Sequence, residues 1–422
     1  MAVQQSHAIA SPNGNAVPLV ETRRALVGFW AVAFALLIVM ASATLPSPLY
    51  GLYRIRDHLS SLTVTVIYAI FAGGTIAALL SVRFIAARVG RRGTMLVAVA
   101  TMMTAAGLLA AWKALPGLLI GRSITGVAVG LAAGTAFTYL IELRSRANPG
   151  GSPARAQTIG SAVTVGALGL GPLIAGCLAQ WVKHPLTLPY LLFVALGGIA
   201  LIGLAAAPET GTRASPASAA RGGSSRSATV LVPGAAATLA AFAANGLFAG
   251  LSGLFLATTL HHPSHALSGA TLFLVFSSGV LAQLATIGLP ALRVLALGTI
   301  SMLSGLALVV TAVRLSTPSL VLFLLSGALI GAGAGAVFKG TTGLVLEATA
   351  PENRLAASSD LLIALYIGLS IPVIGAGVAL DRGVSPADTV LVFAVIVGLG
   401  IVGAGALLGR GLKSAGRSTS TA

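Results

Sequence analysis

The chain has 422 residues, of which 25 are Lys or Arg and 9 are Asp or Glu, and 56% are hydrophobic, with a mean hydropathy of +0.97. A charged fraction of 8%, against about 25% in an ordinary soluble domain, cannot clothe a water-facing surface, so a soluble cytosolic enzyme is excluded. The apolar runs are continuous rather than alternating at period two, which excludes an outer-membrane barrel.

In chain order, residues 1–24 read as a polar cytoplasmic tail without the charged, apolar and small-residue order of a signal peptide. Apolar runs follow at 25–44, 62–82, 94–112, 117–141, 157–181 and 187–207. After a gap come 230–259, 268–288, 292–313, 318–346, 355–380 and 389–409. Each is long enough for a bilayer-spanning helix of about 20 residues. The pattern predicts an all-α integral membrane fold, with twelve transmembrane helices in two pseudo-symmetric six-helix bundles over 25–210 and 230–409. The gap at 211–229 is rich in Gly, Ser and Arg and has no apolar period, so it reads as a cytoplasmic linker. Residues 410–422 read as a second cytoplasmic tail.

The net charge of +16 is explained by topology. With the N-terminus inside, 17 of the 25 Lys and Arg fall in inner segments, six in outer segments, and two, Arg122 and Lys339, inside spans. This is the positive-inside asymmetry of a multi-pass protein of the cytoplasmic membrane, and no nucleic-acid partner is expected. Cys177 stands alone in an apolar run, so neither a disulfide framework nor a thiolate metal site is expected. His261, His262 and His265 read as a solvated outer loop beside Pro263, and no metal is assigned to them.

The two halves resemble each other. Gly126, Gly130 and Glu142 in the fourth span have counterparts in Gly331, Gly335 and Glu347 of the tenth, each displaced by 205 positions. Pro172 in the fifth span and Pro372 in the eleventh are 200 apart. A repeated pattern of this kind argues for a duplicated six-helix unit, with a substrate path between the halves.

Three motifs carry a family resemblance. Between the second and third spans stands Arg83-Phe-Ile-Ala-Ala87-Arg88-Val-Gly90-Arg91-Arg92; the fourth span carries Arg122-x-x-x-Gly126-x-x-x-Gly130. The fifth contains Gly166-Ala-Leu-Gly169-Leu-Gly171-Pro172-Leu-Ile-Ala-Gly176. The chain resembles a twelve-helix member of the major facilitator superfamily, and its fifth span is similar to the glycine-proline segment of the drug/proton antiporter branch. Arg88, Gly90, Arg91 and Arg92 match the superfamily's loop, whereas Arg83 and Ala87 replace its usual Gly and Asp. Pro208-Glu209-Thr210 after the sixth span is another familiar superfamily ending. The resemblance implies that Gly126, Gly130, Gly166, Gly171, Pro172 and Gly176 serve helix packing and rocking. It also implies that the Arg88/Gly90/Arg91/Arg92 loop locks one conformation. With Ala87 in place of the acid, Asp360 near the start of the eleventh span is the candidate to supply that lock from the other side.

Arg122 and Lys339 stand out because a charge at the centre of a span costs about 2.5–3.5 kcal/mol on insertion scales. At about 1.5 Å per residue, each lies within a long side chain's reach of a helix end. Snorkelling and a place in the transport path therefore both remain open. Tyr68, Asn245 and Tyr366 are neutral candidates for cargo contact or for helix-to-helix hydrogen bonds. No acid stands in mid-span; Glu142, at the inner end of the fourth span, is the candidate coupling acid if protons drive transport. There is no Walker loop, no His-Glu-x-x-His and no Gly-x-Ser-x-Gly, so no enzymatic activity and no cofactor are expected. The expected protein is a monomeric secondary transporter, in contact with lipid and a small organic cargo, exporting anionic or neutral amphiphiles. The alternatives are a metabolite or sugar importer on the same fold and, more remotely, an intramembrane enzyme. Reporter fusions in the 211–229 linker and at the C-terminus are expected to report the cytoplasm at both sites.

Overall fold

The computed structural model describes residues 19–148, 153–210, 228–350 and 353–419. Most of the linker expected at 211–229 and of the N-terminal tail lies outside them, whereas residues 410–419 of the expected C-terminal tail continue the last helix. The elements run α1 (Leu19–Thr44), a 3-10 turn (Ser47–Leu49), α2 (Tyr50–Asp57), α3 (Ser61–Ala111), α4 (Leu115–Ala147), α5 (Pro153–Trp181) and α6 (Leu188–Ala206). Then follow α7 (Ala228–Thr258), α8 (His265–Ala285), α9 (Ala291–Arg314), α10 (Leu320–Glu347), α11 (Arg354–Asp381) and α12 (Pro386–Thr419). No strand occurs among the described residues. Twelve segments are long and apolar enough to cross a membrane. An even number of crossings returns the chain to the side on which it began, here called the terminal face; the opposite side is the distal face.

Helix ends follow local chemistry. Ser60, Ser264 and Ser319 each precede a helix and accept the N–H three residues on, from Thr63, Leu267 and Leu322, satisfying a donor that has no partner within the helix. Pro116 and Pro189 occupy the first turns of α4 and α6, where a missing N–H costs nothing.

Two further boundaries differ from the sequence expectation. The first span continues past Thr44 through the 3-10 turn and α2 to Asp57. The basic segment 83–92 is not an open loop: α3 stays helical up to it, and only Gly90, at φ +78°, leaves helical geometry. That left-handed conformation suits glycine because it has no Cβ. α3 thus holds two spans, a first arm before Gly90 and a second arm after it.

Helices in lipid associate through close packing and hydrogen bonds rather than expulsion of water, so small residues set how near they come. A Cβ added to Gly126 would collide with the carbonyl of Phe71, and one on Gly130 with that of Thr75. In the second half, a Cβ on Gly331 would meet the Val275 carbonyl, and one on Gly335 that of Gly279. The glycines repeat at an offset of 205 and the carbonyls they approach at 204. The duplication read in the sequence is therefore a duplicated packing: α4 lies against the first arm of α3 as α10 lies against α8. Two pseudo-symmetric six-helix bundles result. Gly126→Val and Gly331→Val are each expected to lower the unfolding midpoint in detergent, at a cost of about 1–3 kcal/mol or more. Gly107→Ala, where an added Cβ meets nothing within 4 Å, should leave the midpoint unchanged.

Candidate transport site

The halves meet along α5 with α8 and along the first arm of α3 with α11. On the first seam, a Cβ on Gly169 would press on Phe273 and one on Gly176 on the His265 carbonyl and Gly269, while Gly269 itself abuts the Pro172 carbonyl. Gly171, by contrast, packs within its own half on the Ala41 carbonyl of α1. Gly166 has nothing within 4 Å of an added Cβ, so close approach is not its role in this structure. The glycine-proline motif thus divides its work between one bundle and the seam.

Arg122 is 1% exposed and its side chain does not run toward either membrane face. Its guanidinium donates to the Ala43 carbonyl of α1 at 2.6 Å and to the Tyr68 carbonyl of α3 at 3.4 Å. It also lies 4.7 Å from the centre of the Phe71 ring, within range of a cation–π attraction. Among the described residues no carboxylate pairs with it. The positive charge is thus held by carbonyl dipoles and a ring face, joining α1, α3 and α4, and its net sign is not cancelled.

Phe71 links the other candidates to it. Its ring centroid is 6.0 Å from that of Tyr68 and 5.9 Å, edge-on, from that of Tyr366 on α11, so the contact crosses the seam between halves. Tyr68 also sits against Gly250 of α7. Asn245 is buried beside Gly246, which packs on the Leu369 carbonyl, about one turn from Tyr366. The Tyr68 hydroxyl and the Asn245 side-chain oxygen are buried without a protein partner, as is the Arg122 Nε. Arg122, Tyr68 and Tyr366 are thereby brought to one place near the distal half of the seam. Phe71, the hub, was not singled out in the sequence; its position three residues after Tyr68 on the same helix face was the available signal.

Lys339 is elsewhere. Its ammonium donates to the Gln283 carbonyl at 2.7 Å and the Thr286 hydroxyl at 3.2 Å. These close the last turn of α8, where unpaired carbonyls favour a cation. In the same region Ser161 of α5 donates to the Gln283 side chain at 2.8 Å, a bond across the seam toward the terminal face.

A second polar cluster occupies the terminal face. The Glu209 carboxylate accepts the backbone N–H groups of Arg91 at 3.0 Å and Arg92 at 3.1 Å, capping the second arm of α3 directly after Gly90. A Cβ on Gly90 would lie 2.6 Å from a Glu209 oxygen. Arg91 pairs with Glu142, which also accepts from the Thr210 hydroxyl at 2.6 Å. Arg146 donates to the carbonyls of Glu209 and Thr210, and Tyr139 to that of Pro208. The candidate coupling acid Glu142 is therefore a member of this cluster, which ties α3, α4 and the end of α6 together. Arg88 is exposed and Asp360 half-buried in the second turn of α11. Glu209, the cap at the centre of the cluster, was recognised from sequence only as part of a familiar ending.

With this geometry in view, the comparisons with known proteins are consistent. Residues 22–210 match the family described as sugar (and other) transporter. The structure superposes on that of a point mutant of the nucleoside transporter NupG with a TM-score of 0.68, at 11% identity, covering 91% of this chain and 99% of that one. No curated protein matches in sequence. The chain has the major facilitator fold, and twelve segments among its described residues are long and apolar enough to cross a membrane. Gly90→Ala and Glu209→Gln should each lower thermal stability in detergent by about 0.5–2 kcal/mol, the range of a lost helix cap. Their effects should fall short of additive, because both act on one cap.

Proposed function

We propose that this protein is a secondary active transporter that moves small organic molecules by rocking its two six-helix halves, and that its cargo is anionic or neutral and amphiphilic. The observation that carries the cargo assignment is the buried Arg122, whose charge meets carbonyls and a ring but, among the described residues, no carboxylate. A buried charge in low dielectric keeps its field, and that field repels a cation while it admits an anion or a neutral polar group. Tyr68 and Asn245 present unpartnered oxygens near the same seam, suited to hydrogen bonds with a cargo's polar groups, and Phe71 and Tyr366 supply aromatic faces. Export is the direction favoured by the antiporter-like fifth span. The terminal face is taken as cytoplasmic, from the distribution of Lys and Arg. In the state opposite to this one, Asp360 is assigned to the Arg88/Arg91/Arg92 side of the seam as a lock.

A second reading has specific support: the family that matches the first half is that of sugar and other transporters, and a structural neighbour carries nucleosides. Import of a neutral polar metabolite fits the same absence of mid-span acids among the described residues. Counterflow in proteoliposomes without ATP distinguishes the two. Organic anions or neutral amphiphiles should exchange, and a lipophilic cation should not. In Arg122→Gln the anion's exchange should fall roughly tenfold or more, the scale of a lost charge-assisted hydrogen bond. Exchange confined to sugars or nucleosides would favour the importer, and robust exchange of the cation alone would overturn the electrostatic argument.

A further inference from the structure

At the distal face each half caps a helix of the other. α11 ends at Asp381, and its carboxylate accepts the first two N–H groups of α3, Ser61 at 2.8 Å and Leu62 at 3.1 Å. In the last turn of α5, the side-chain oxygen of Gln180 accepts the N–H of His265, first residue of α8, at 3.0 Å, and lies 3.3 Å from the Ser264 hydroxyl. Asp381 stands 201 positions after Gln180, and His265 204 positions after Ser61, so the two contacts are mates under the relation between the halves.

The surroundings repeat too. One turn before each acceptor is a glycine that brings the helices together: Gly377 against Thr65, and Gly176 against Gly269 and the His265 carbonyl. Within each capped helix, the preceding serine takes the third N–H itself. The earlier donors are left for the opposite half. Four donors at a helix start lack partners inside the helix, and here some of them are satisfied only while the halves touch.

We propose that Asp381 and Gln180 form a pair of cross-half latches that hold the distal face closed, and that the pair is unequal. Asp381 brings a negative charge to the positive end of α3 and accepts two backbone N–H groups, whereas Gln180 is neutral and accepts one. A carboxylate at a helix start is favoured by the macrodipole, and charge-assisted hydrogen bonds are roughly twice as strong as neutral ones. The balance between conformations therefore rests chiefly on Asp381. Both are positioning residues: they touch no cargo and act through the helices they hold. The inference rests on the rocking of halves proposed above, but not on any choice of cargo.

The test measures distance without cargo. In full-length protein with Cys177→Ser, spin labels are placed at Ile55→Cys on α2 and Val384→Cys after α11, both exposed and on opposite halves of the distal face. Pulsed electron resonance then gives the distribution between closed and open populations. Asp381→Ala should raise the open fraction roughly fivefold, and Gln180→Ala, in the same direction, roughly twofold, in keeping with the unequal bonds. Asp381→Asn, which keeps an acceptor and loses the charge, should fall between wild type and Asp381→Ala. Asp388→Ala should change nothing, because among the described residues Asp388 bonds within its own half, to Arg314 and Ser385. An unshifted distribution in Asp381→Ala, or an equal shift in Asp388→Ala, would overturn the proposal. If Asp381→Ala does not fold, unshifted distributions in Asp381→Asn and Gln180→Ala would overturn it equally. A cargo found to be cationic would refute the electrostatic reading of Arg122 and leave this distance measurement standing.

Discussion

The contact on which the rest of the structure depends is backbone against backbone: α4 on the first arm of α3, and α10 on α8. In lipid no water is gained by bringing helices together, so association depends on how many atoms come into contact and how closely. Gly126 and Gly130 take the approach to the limit by leaving the Phe71 and Thr75 carbonyls where side chains would otherwise be. Because α4 lies so close, Arg122 reaches carbonyls on both α1 and α3 and its guanidinium meets the Phe71 ring. A wider spacing would leave that charge without partners in a medium where this is costly.

Polar groups in this protein are concentrated where the backbone itself lacks partners. Lys339 closes the last turn of α8, Glu209 caps the second arm of α3, and Asp381 and Gln180 cap α3 and α8 from across the seam. Each such side chain answers donors or acceptors that a helix end cannot satisfy internally. A charge at such a point has a structural role whether or not it also meets cargo. Arg122 meets one such carbonyl, that of Ala43 in the last turn of α1, but it also reaches the Tyr68 carbonyl inside α3 and the Phe71 ring. Its place against Phe71, whose ring meets Tyr366 across the seam, is why it and not Lys339 carries the cargo assignment.

The seam between halves is built differently from the bundles. Inside each bundle, glycines meet carbonyls along whole helices. Between the bundles, glycines also bring α5 and α8 together, at Gly169, Gly176 and Gly269, but the halves are also joined by an aromatic contact, Phe71 with Tyr366, and by hydrogen bonds gathered near the helix ends. Hydrogen bonds at helix ends can part without disturbing the packing inside either bundle, which is what the proposed rocking needs.

The spans, their number and the internal duplication were legible in the sequence because they follow from hydrophobic length and repeated small residues, both local properties. Arg122 was legible as an anomaly, since a charge inside an apolar run needs no structure to be noticed. The partners were not. Whether Arg122 snorkels or turns inward depends on how near α1 and α3 stand, and whether Lys339 faces a path or a helix end depends on where α8 stops. The basic segment at 83–92 read as a loop because its charges break the apolar run, yet it stays helical up to Gly90, and a carboxylate 119 positions beyond that glycine, Glu209, caps the helix that follows it. Asp381 and Gln180 carry no motif at all. Their role arises only when the two halves bring a helix end of one against a helix start of the other.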